Sequence, residues 1–165
     1  MLSKVYPSSK GGAKSRYIGG ILTFNSQVLF PGQVACKRVR ATTAQVNAGY
    51  ELLPAIPGHK YRIIDCDMIA IGGAAATATS VDLVATQGAA AIRPVVNAVA
   101  ALTQSARVSM GEAPAAGTSV ILADGASFAA LDANTGVSVS KQSGGSNLAT
   151  ATHIDVLLSY TIEVA

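Results

Sequence analysis

The segment 152–162, THIDVLLSYTI, has the most regular alternation of apolar and polar positions in the chain. Its large apolar residues at every second position are Ile154, Val156, Leu158, Tyr160 and Ile162. Because successive side chains of a strand point to opposite faces, this pattern predicts a long strand with one buried and one largely solvated face. Burial of these side chains contributes about 8–15 kcal/mol before entropy is counted. We therefore predict that this strand is the scaffold of the fold.

Further strands are predicted along the chain. A long one covers residues 60–71, and one of its faces carries Arg62, Ile64, Cys66, Met68 and Ala70. Shorter strands are predicted at 33–41, 80–87, 107–110 and 137–141, with a pair of strands in 17–30 that turns near 25–26. The segment 137–141 is predicted to form a hairpin with the final strand. About eight to ten strands at short intervals predict an all-β fold, an antiparallel β-sandwich with jelly-roll-like connections.

Helical spacing occurs in one segment, residues 91–102, AIRPVVNAVAAL. Its apolar residues recur at three- and four-residue intervals and Pro94 lies in the first turn, which favours a short helix. Three valines lower the helix propensity, so a pair of short strands is the alternative. The prediction is therefore at most one short helix.

Charge is scarce and unevenly distributed in this chain of 165 residues, of which 13% are charged and 50% are hydrophobic. Residues 1–50 contain seven Lys and Arg and no acid, whereas the remaining residues carry five bases and nine acids. The length fits one domain, and the low charge indicates a surface that is partly covered by neighbours. We predict a basic, extended N-terminal arm over 1–16 and a single β-sandwich domain over 17–165. An arm that meets an acidic partner and a merely solvated terminus are both open.

Two groups of residues are candidates for contact with a partner. The arm and its junction contribute Lys4, Lys10, Lys14, Arg16 and Tyr17. The second group stands in an otherwise uncharged segment and consists of Lys37, Arg38 and Arg40. This second group is either a solvated strand edge that resists pairing or a contact patch.

The sequence contains no complete catalytic motif. Asp65 and Asp67 share a strand face, as a metal site or an acid–base pair requires, but no nearby His or third acid accompanies them. The string GGAKS lacks the Lys directly after the last Gly that a phosphate loop needs, and no GxSxG elbow occurs. We expect no enzyme, no cofactor and no metal.

The cysteines and histidines match no zinc pattern, because Cys36, His59, Cys66 and His153 are not spaced as paired ligands. Both cysteines are expected to be buried and reduced. The uncharged run 17–36 contains polar residues and Pro31, so no membrane span is expected, and without a signal peptide we expect synthesis in the cytoplasm. No stacking platform accompanies the N-terminal lysines, so direct binding of nucleic acid is not expected.

The segments ATTAQVNAGYELLPAIPGHKYRIIDCDMIAIGG, SVDLVATQ, ILADGASFAALDANTGVSVS and LATATHIDVLLSYTIE together cover about three quarters of the chain. In these segments, from Ala41 onward, the chain resembles small virion proteins of tailed bacteriophages, above all head decoration (cement) proteins. Residues 1–40 lie outside the resemblance.

The resemblance implies a non-enzymatic virion protein on the capsid exterior, made in the host cytoplasm. Such a protein binds the major capsid protein, bridges capsomers and stabilises the head, usually as a homo-oligomer, here a dimer or a trimer. The alternative is a tail- or fibre-associated module that recognises a host surface glycan. That alternative requires an exposed aromatic platform, and only eight residues of the chain are Phe or Tyr.

Overall fold

The computed structural model describes residues 16–18, 21–24, 27–29, 33–109 and 130–165, and of the first three segments it describes the strand backbone only. The chain divides into two compact units, Met1–Pro31 and Gly32–Ala165. The predicted arm, apart from Arg16, lies outside the described residues. The predicted boundary between the arm (1–16) and a single domain (17–165) stays a prediction.

The first unit contains a three-stranded antiparallel sheet. Its strands are β1 (Arg16–Ile18), β2 (Ile21–Phe24) and β3 (Gln27–Leu29), in the order β1-β2-β3. Phe24 pairs with Gln27, so β2 and β3 are adjacent antiparallel strands, and the turn predicted near 25–26 lies outside the described residues. β1 adds a third strand that the sequence did not predict separately.

The second unit is built from ten strands and one helix in its described residues. In chain order these are β4 (Ala35–Thr42), α1 (Thr43–Ala48), β5 (Tyr50–Leu53), β6 (His59–Ile71), β7 (Ala75–Ala76), β8 (Ser80–Gln87), β9 (Ala90–Ala98), β10 (Arg107–Ser109), β11 (Val137–Lys141), β12 (Ala149–Thr150) and β13 (His153–Val164). Sheet I has the strand order β10-β6-β13-β4, sheet II has the order β5-β11-β8-β9, and β12 pairs with β7. All of these pairings are antiparallel.

The core consists of the apolar faces of sheets I and II. In sheet I, Ile154 and Leu158 are at most 1% exposed, and in sheet II, Leu83 and Val139 are fully buried. Two antiparallel sheets that each bury one face have the pattern of a β-sandwich. The prediction of an all-β antiparallel fold is confirmed, and the jelly-roll connections stay a prediction. β13 lies between β6 and β4, so the strand predicted as the scaffold is central in sheet I.

The predicted face of β6 is wrong for Ile64 and Arg62, which do not lie on the same face as Cys66. Ser159 pairs with Asp65 and Tyr160 pairs with Ile63, which leaves Ile64 as an extra residue on β6. Such a bulge shifts the alternation by one residue. Ile64 is consequently 41% exposed, whereas Ile63 is 1% exposed and Cys66 is fully buried.

The helix predicted over 91–102 is also wrong, because residues 90–98 form β9. Leu83 pairs with Val95 and Ala85 pairs with Ile92, so β9 places two residues opposite one residue of β8. This bulge sets Ile92 and Val95 three positions apart on one side of a strand, which imitates the helical period. The strand alternative was the better interpretation of the segment.

The one helix in the described residues is α1, in a segment to which the sequence analysis assigned no helix. Thr42 is its N-cap, its hydroxyl accepts from the backbone N–H of Gln45, and the Gln45 side chain accepts from the backbone N–H of Thr42. This capping box is readable in the sequence as Thr-x-x-Gln. Gly49 ends the helix at a φ of 85°, a left-handed conformation that favours glycine.

The predicted hairpin of β11 with β13 is wrong. β11 pairs with β5 and β8 in sheet II, whereas β13 pairs with β4 and β6 in sheet I. The chain between them therefore passes from one sheet to the other. Proximity in sequence therefore did not decide the pairing of these two strands.

Candidate contact surface

The candidate site is the face of sheet I that points away from the core, here called the outer face of sheet I. Strand register arranges its residues in rows across the four strands. One row is Arg38, Leu157, Asp67 and Ser109, and the next row is Arg40, Asp155, Ile69 and Arg107. Arginines thus lie on both flanking strands, with acids and apolar residues on the two central strands.

Asp155 is the best-bonded acid of this face. Arg40 donates from Nε to Oδ1 at 2.7 Å and from Nη2 to Oδ2 at 2.9 Å, and Arg38 donates from Nη2 to Oδ2 at 3.0 Å. Asp155 is only 5% exposed. The hydrogen bonds from Arg40 have the largest influence on the pKa of Asp155. Together with the hydrogen bond from Arg38, they outweigh desolvation and lower this pKa from 3.8 to about 2. The same contact raises the pKa of Arg40.

Asp67 forms a second bonded cluster at the opposite side of the face. Ser109 donates from Oγ to Asp67 Oδ1 at 2.6 Å, and the guanidinium of Arg107 lies 3.1 Å from the same oxygen. Arg107 also donates from Nε to Ser109 Oγ at 3.2 Å. The side chains of both arginine-bearing edges are therefore held in place by buried acids.

Apolar atoms lie between these two clusters. Leu157 is 41% exposed and stands on β13 between Arg38 and Asp67. A depression of about 330 Å³ is lined by Arg38, Asp67, Ile69, Arg107, Asp155, Val156 and Leu157. An exposed apolar centre with arginines around it has the composition of a protein–protein contact.

The predicted patch of Lys37, Arg38 and Arg40 is divided by the strand. β4 is at the edge of sheet I in the described part of the chain. Arg38 and Arg40 lie on the outer face, but Lys37 points to the other side, where its Nζ donates to the carbonyl of Leu52 at 2.6 Å. Contact of these three residues with a partner stays a prediction.

The predicted arm residues cannot be placed in this surface. Lys4, Lys10 and Lys14 lie outside the described residues, and Arg16 and Tyr17 lie in β1. Asp155, by contrast, was not predicted to pair with the arginines. The signal that could have found it is the strand alternation, which puts this acid on the polar face of the scaffold strand.

The other residues considered for chemistry have protein partners of their own. Asp65 Oδ1 accepts from the N–H of Cys66 at 2.9 Å, and His153 Nδ1 lies 3.0 Å from Thr152 Oγ1. Within 33–109 and 130–165, no three Asp, Glu, His or Cys side chains are grouped as metal ligands.

The two cysteines differ in burial. Cys66 is buried as predicted; desolvation, followed by the charges of Asp65 and Asp67, raises its pKa to about 12. The prediction for Cys36 is wrong, since it is exposed, with its Sγ 3.4 Å from Ser159 Oγ. Cys36 lies on the outer face of sheet I, on the edge strand β4, where nothing in the described chain covers it.

None of the helices in the described part of the chain has the length and apolar character needed to cross a bilayer. The chain matches no family model, no curated protein and no solved structure.

Proposed function

We propose that this chain is a non-enzymatic structural protein of a tailed-phage virion that binds the outside of the capsid. In this role it bridges neighbouring capsomers and stabilises the head as a homo-oligomer. The observation that supports the proposal is the outer face of sheet I, where an exposed leucine lies among arginines held by buried acids. The resemblance of residues from Ala41 onward gives the proposal its capsid context.

The arginines of this face are suited to bind a protein because their positions are already set. Arg38 and Arg40 have side chains that are 72% and 55% exposed, although both donate to Asp155. A guanidinium has five N–H donors, so donors remain for carboxylates and carbonyls of a partner. Ordering of these side chains in the free protein reduces the entropy that binding costs.

The uneven charge supports attachment to an acidic shell. Residues 1–50 carry only basic charges, which would attract an acidic capsid surface and speed encounter. A homo-oligomer that contacts several capsomers at once would hold each of them through the others, since the second contact is intramolecular. Head stabilisation follows from this multivalent attachment and requires no catalytic group.

Electron microscopy of virions from the phage that encodes this chain is the first test. Gold-labelled antibody against the purified protein should mark the head. Label on the tail or fibres would favour the glycan-binding alternative, and unlabelled virions that lack the protein would refute a virion role.

Binding to capsids stripped of this protein then tests the outer face of sheet I. Leu157→Asp should weaken binding at least about tenfold, because a charge would be buried at the centre of the contact. Val164→Asp is the matched control, since Val164 lies on the same strand, is 54% exposed and stands outside the two rows of the outer face. Equal binding of both variants and the unmodified protein would exclude this face as the contact surface.

A further inference from the structure

Sheet II has a cavity of about 580 Å³ on the face that points away from the core. The polar residues of its lining include Asn47, Asp82, Arg93, Ser138, Ser140 and Lys141. This volume lies within the range of small-molecule sites, about 300–1,000 Å³, and is many times the volume of one water. The cavity lies on a different sheet from the proposed capsid contact, so the two can be tested separately.

Strand register and two local irregularities build this cavity. Asp82 on β8 lies opposite Ser140 on β11, and the bulge in β9 places Arg93 beside them. The end of α1 supplies one wall, where Gly49 adopts its left-handed conformation. Asn47 is fixed there, because its side chain accepts from the N–H of Leu148 at 2.8 Å and donates to the carbonyl of the same residue at 3.3 Å.

Asp82 is a buried acid with an incomplete set of partners. Its side chain is 0% exposed, and its Oδ2 accepts from Arg93 Nη1 at 3.0 Å. Its Oδ1 has no hydrogen-bond partner within the described chain. Asn97 and Thr161 also have a buried unpaired atom, but neither lines the cavity. A buried acceptor without a donor is costly, so a donor that enters the cavity gains a strong, charge-assisted hydrogen bond.

The surrounding charges select the chemistry of that donor. Asp82 and Arg93 together are formally neutral, and Lys141 adds a positive charge to the lining, so a cation is not favoured here. Two serine hydroxyls, of Ser138 and Ser140, offer further hydrogen bonds along β11, while Val84 supplies an apolar wall. These features fit a neutral molecule that presents several hydroxyl groups on a compact carbon skeleton.

We propose that this cavity binds a small neutral polyhydroxylated molecule of the monosaccharide or polyol class. When the half-exposed Arg93 side chain shifts to admit the ligand, one ligand hydroxyl donates to Asp82 Oδ1. Neighbouring hydroxyls bond to Ser138, Ser140 and the half-exposed guanidinium of Arg93. The apolar wall contacts the carbon skeleton.

Ligand-observed saturation-transfer NMR on the full-length protein tests this proposal. The probes are glucose, galactose, mannose, N-acetylglucosamine, myo-inositol and glycerol, each titrated alone. At least one should bind saturably, and Asp82→Asn should weaken that binding about tenfold, because an amide oxygen is a weaker acceptor than a carboxylate. Ser138→Leu should abolish binding by filling the cavity while leaving the Asp82–Arg93 pair in place, so the test survives if Asp82→Asn fails to fold.

Leu157→Ser, on the outer face of sheet I, is the control variant and should bind the same ligand as tightly as the unmodified protein. The methyl glycoside of a binding sugar distinguishes two sources of the ligand: retained binding supports a glycan chain end, and lost binding supports a free molecule. Absence of saturable binding across the panel would overturn the proposal. Binding that both cavity variants leave unchanged would overturn it as well, and so would displacement of the ligand by calcium chloride, since the site would then bind a cation.

Discussion

The outer faces of sheets I and II each contain a buried aspartate beside arginine, but the two carboxylates are completed differently. In sheet I, both oxygens of Asp155 accept hydrogen bonds, three in total, from Arg38 and Arg40. In sheet II, Asp82 accepts from Arg93 alone and its Oδ1 is unpaired within the described chain. The strands explain the difference, because β4 presents two arginines at alternate positions, whereas the bulge in β9 presents one.

This difference separates two kinds of surface. A completed carboxylate orders arginines that still point outward, which suits a large partner that contacts many residues at once. An incomplete carboxylate in a cavity retains the capacity to accept one more donor, which suits a small ligand. The same pair of residue types thus supports attachment on one sheet and recognition on the other.

The largest expected effect concerns the core, where the two sheets should behave alike. Leu158→Ala in sheet I and Leu83→Ala in sheet II should each lower the free energy of unfolding by about 2–5 kcal/mol, because each leaves a cavity at a fully packed position. Leu157→Ala is the matched control and should change it by less than about 0.5 kcal/mol. Urea unfolding measures all three. A negligible effect at Leu158 or Leu83 would mean that the sheets do not share a core. The two sheets would then differ in their buried faces as well as in their outer faces.

A smaller effect distinguishes the two acids directly. Arg93→Ala leaves Asp82 buried without its partner and should cost about 2–3 kcal/mol. Arg40→Ala should cost clearly less, since Arg38 still donates to Asp155 and both arginines are largely exposed. Urea unfolding at neutral pH compares the two variants. If Arg40→Ala proved the more damaging, Asp155 would be the less completely bonded acid and the contrast would be reversed.

Much of the fold could be predicted where alternation extends over most of a strand. β8 matches its predicted range, and β6 and β13 differ from theirs by one or two residues at the ends, because period-two patterns define these strands. The failures occurred where a bulge inserts one residue. In β9 the bulge produced a helical spacing, and in β6 it moved Ile64 to the wrong face.

The contact surface was predictable only in part. The basic group at 37–40 was visible in the sequence, but separation of Lys37 from the two arginines follows from strand alternation at an edge. Asp155, the partner of the two arginines, is 115 residues from Arg40, and only the register of β13 against β4 brings them together. The incomplete bonding of Asp82 depends on atomic distances between strands, which no sequence pattern encodes.

The pH dependence of stability gives the smallest and most specific effect. The arginines lower the pKa of Asp155 from 3.8 to about 2 in the folded state, so folding favours the ionised carboxylate. Its contribution is therefore complete above about pH 4 and is lost as the pH falls toward about 2. Because the arginines are exposed, we expect about 1–2 kcal/mol of advantage over Asp155→Asn near neutral pH, shrinking to almost nothing near pH 2. Urea unfolding of both proteins across this range measures the difference. An advantage that did not change with pH would show that the bonds to Asp155 do not depend on its charge, and Asp155 would then hold the arginines no more firmly than a neutral side chain.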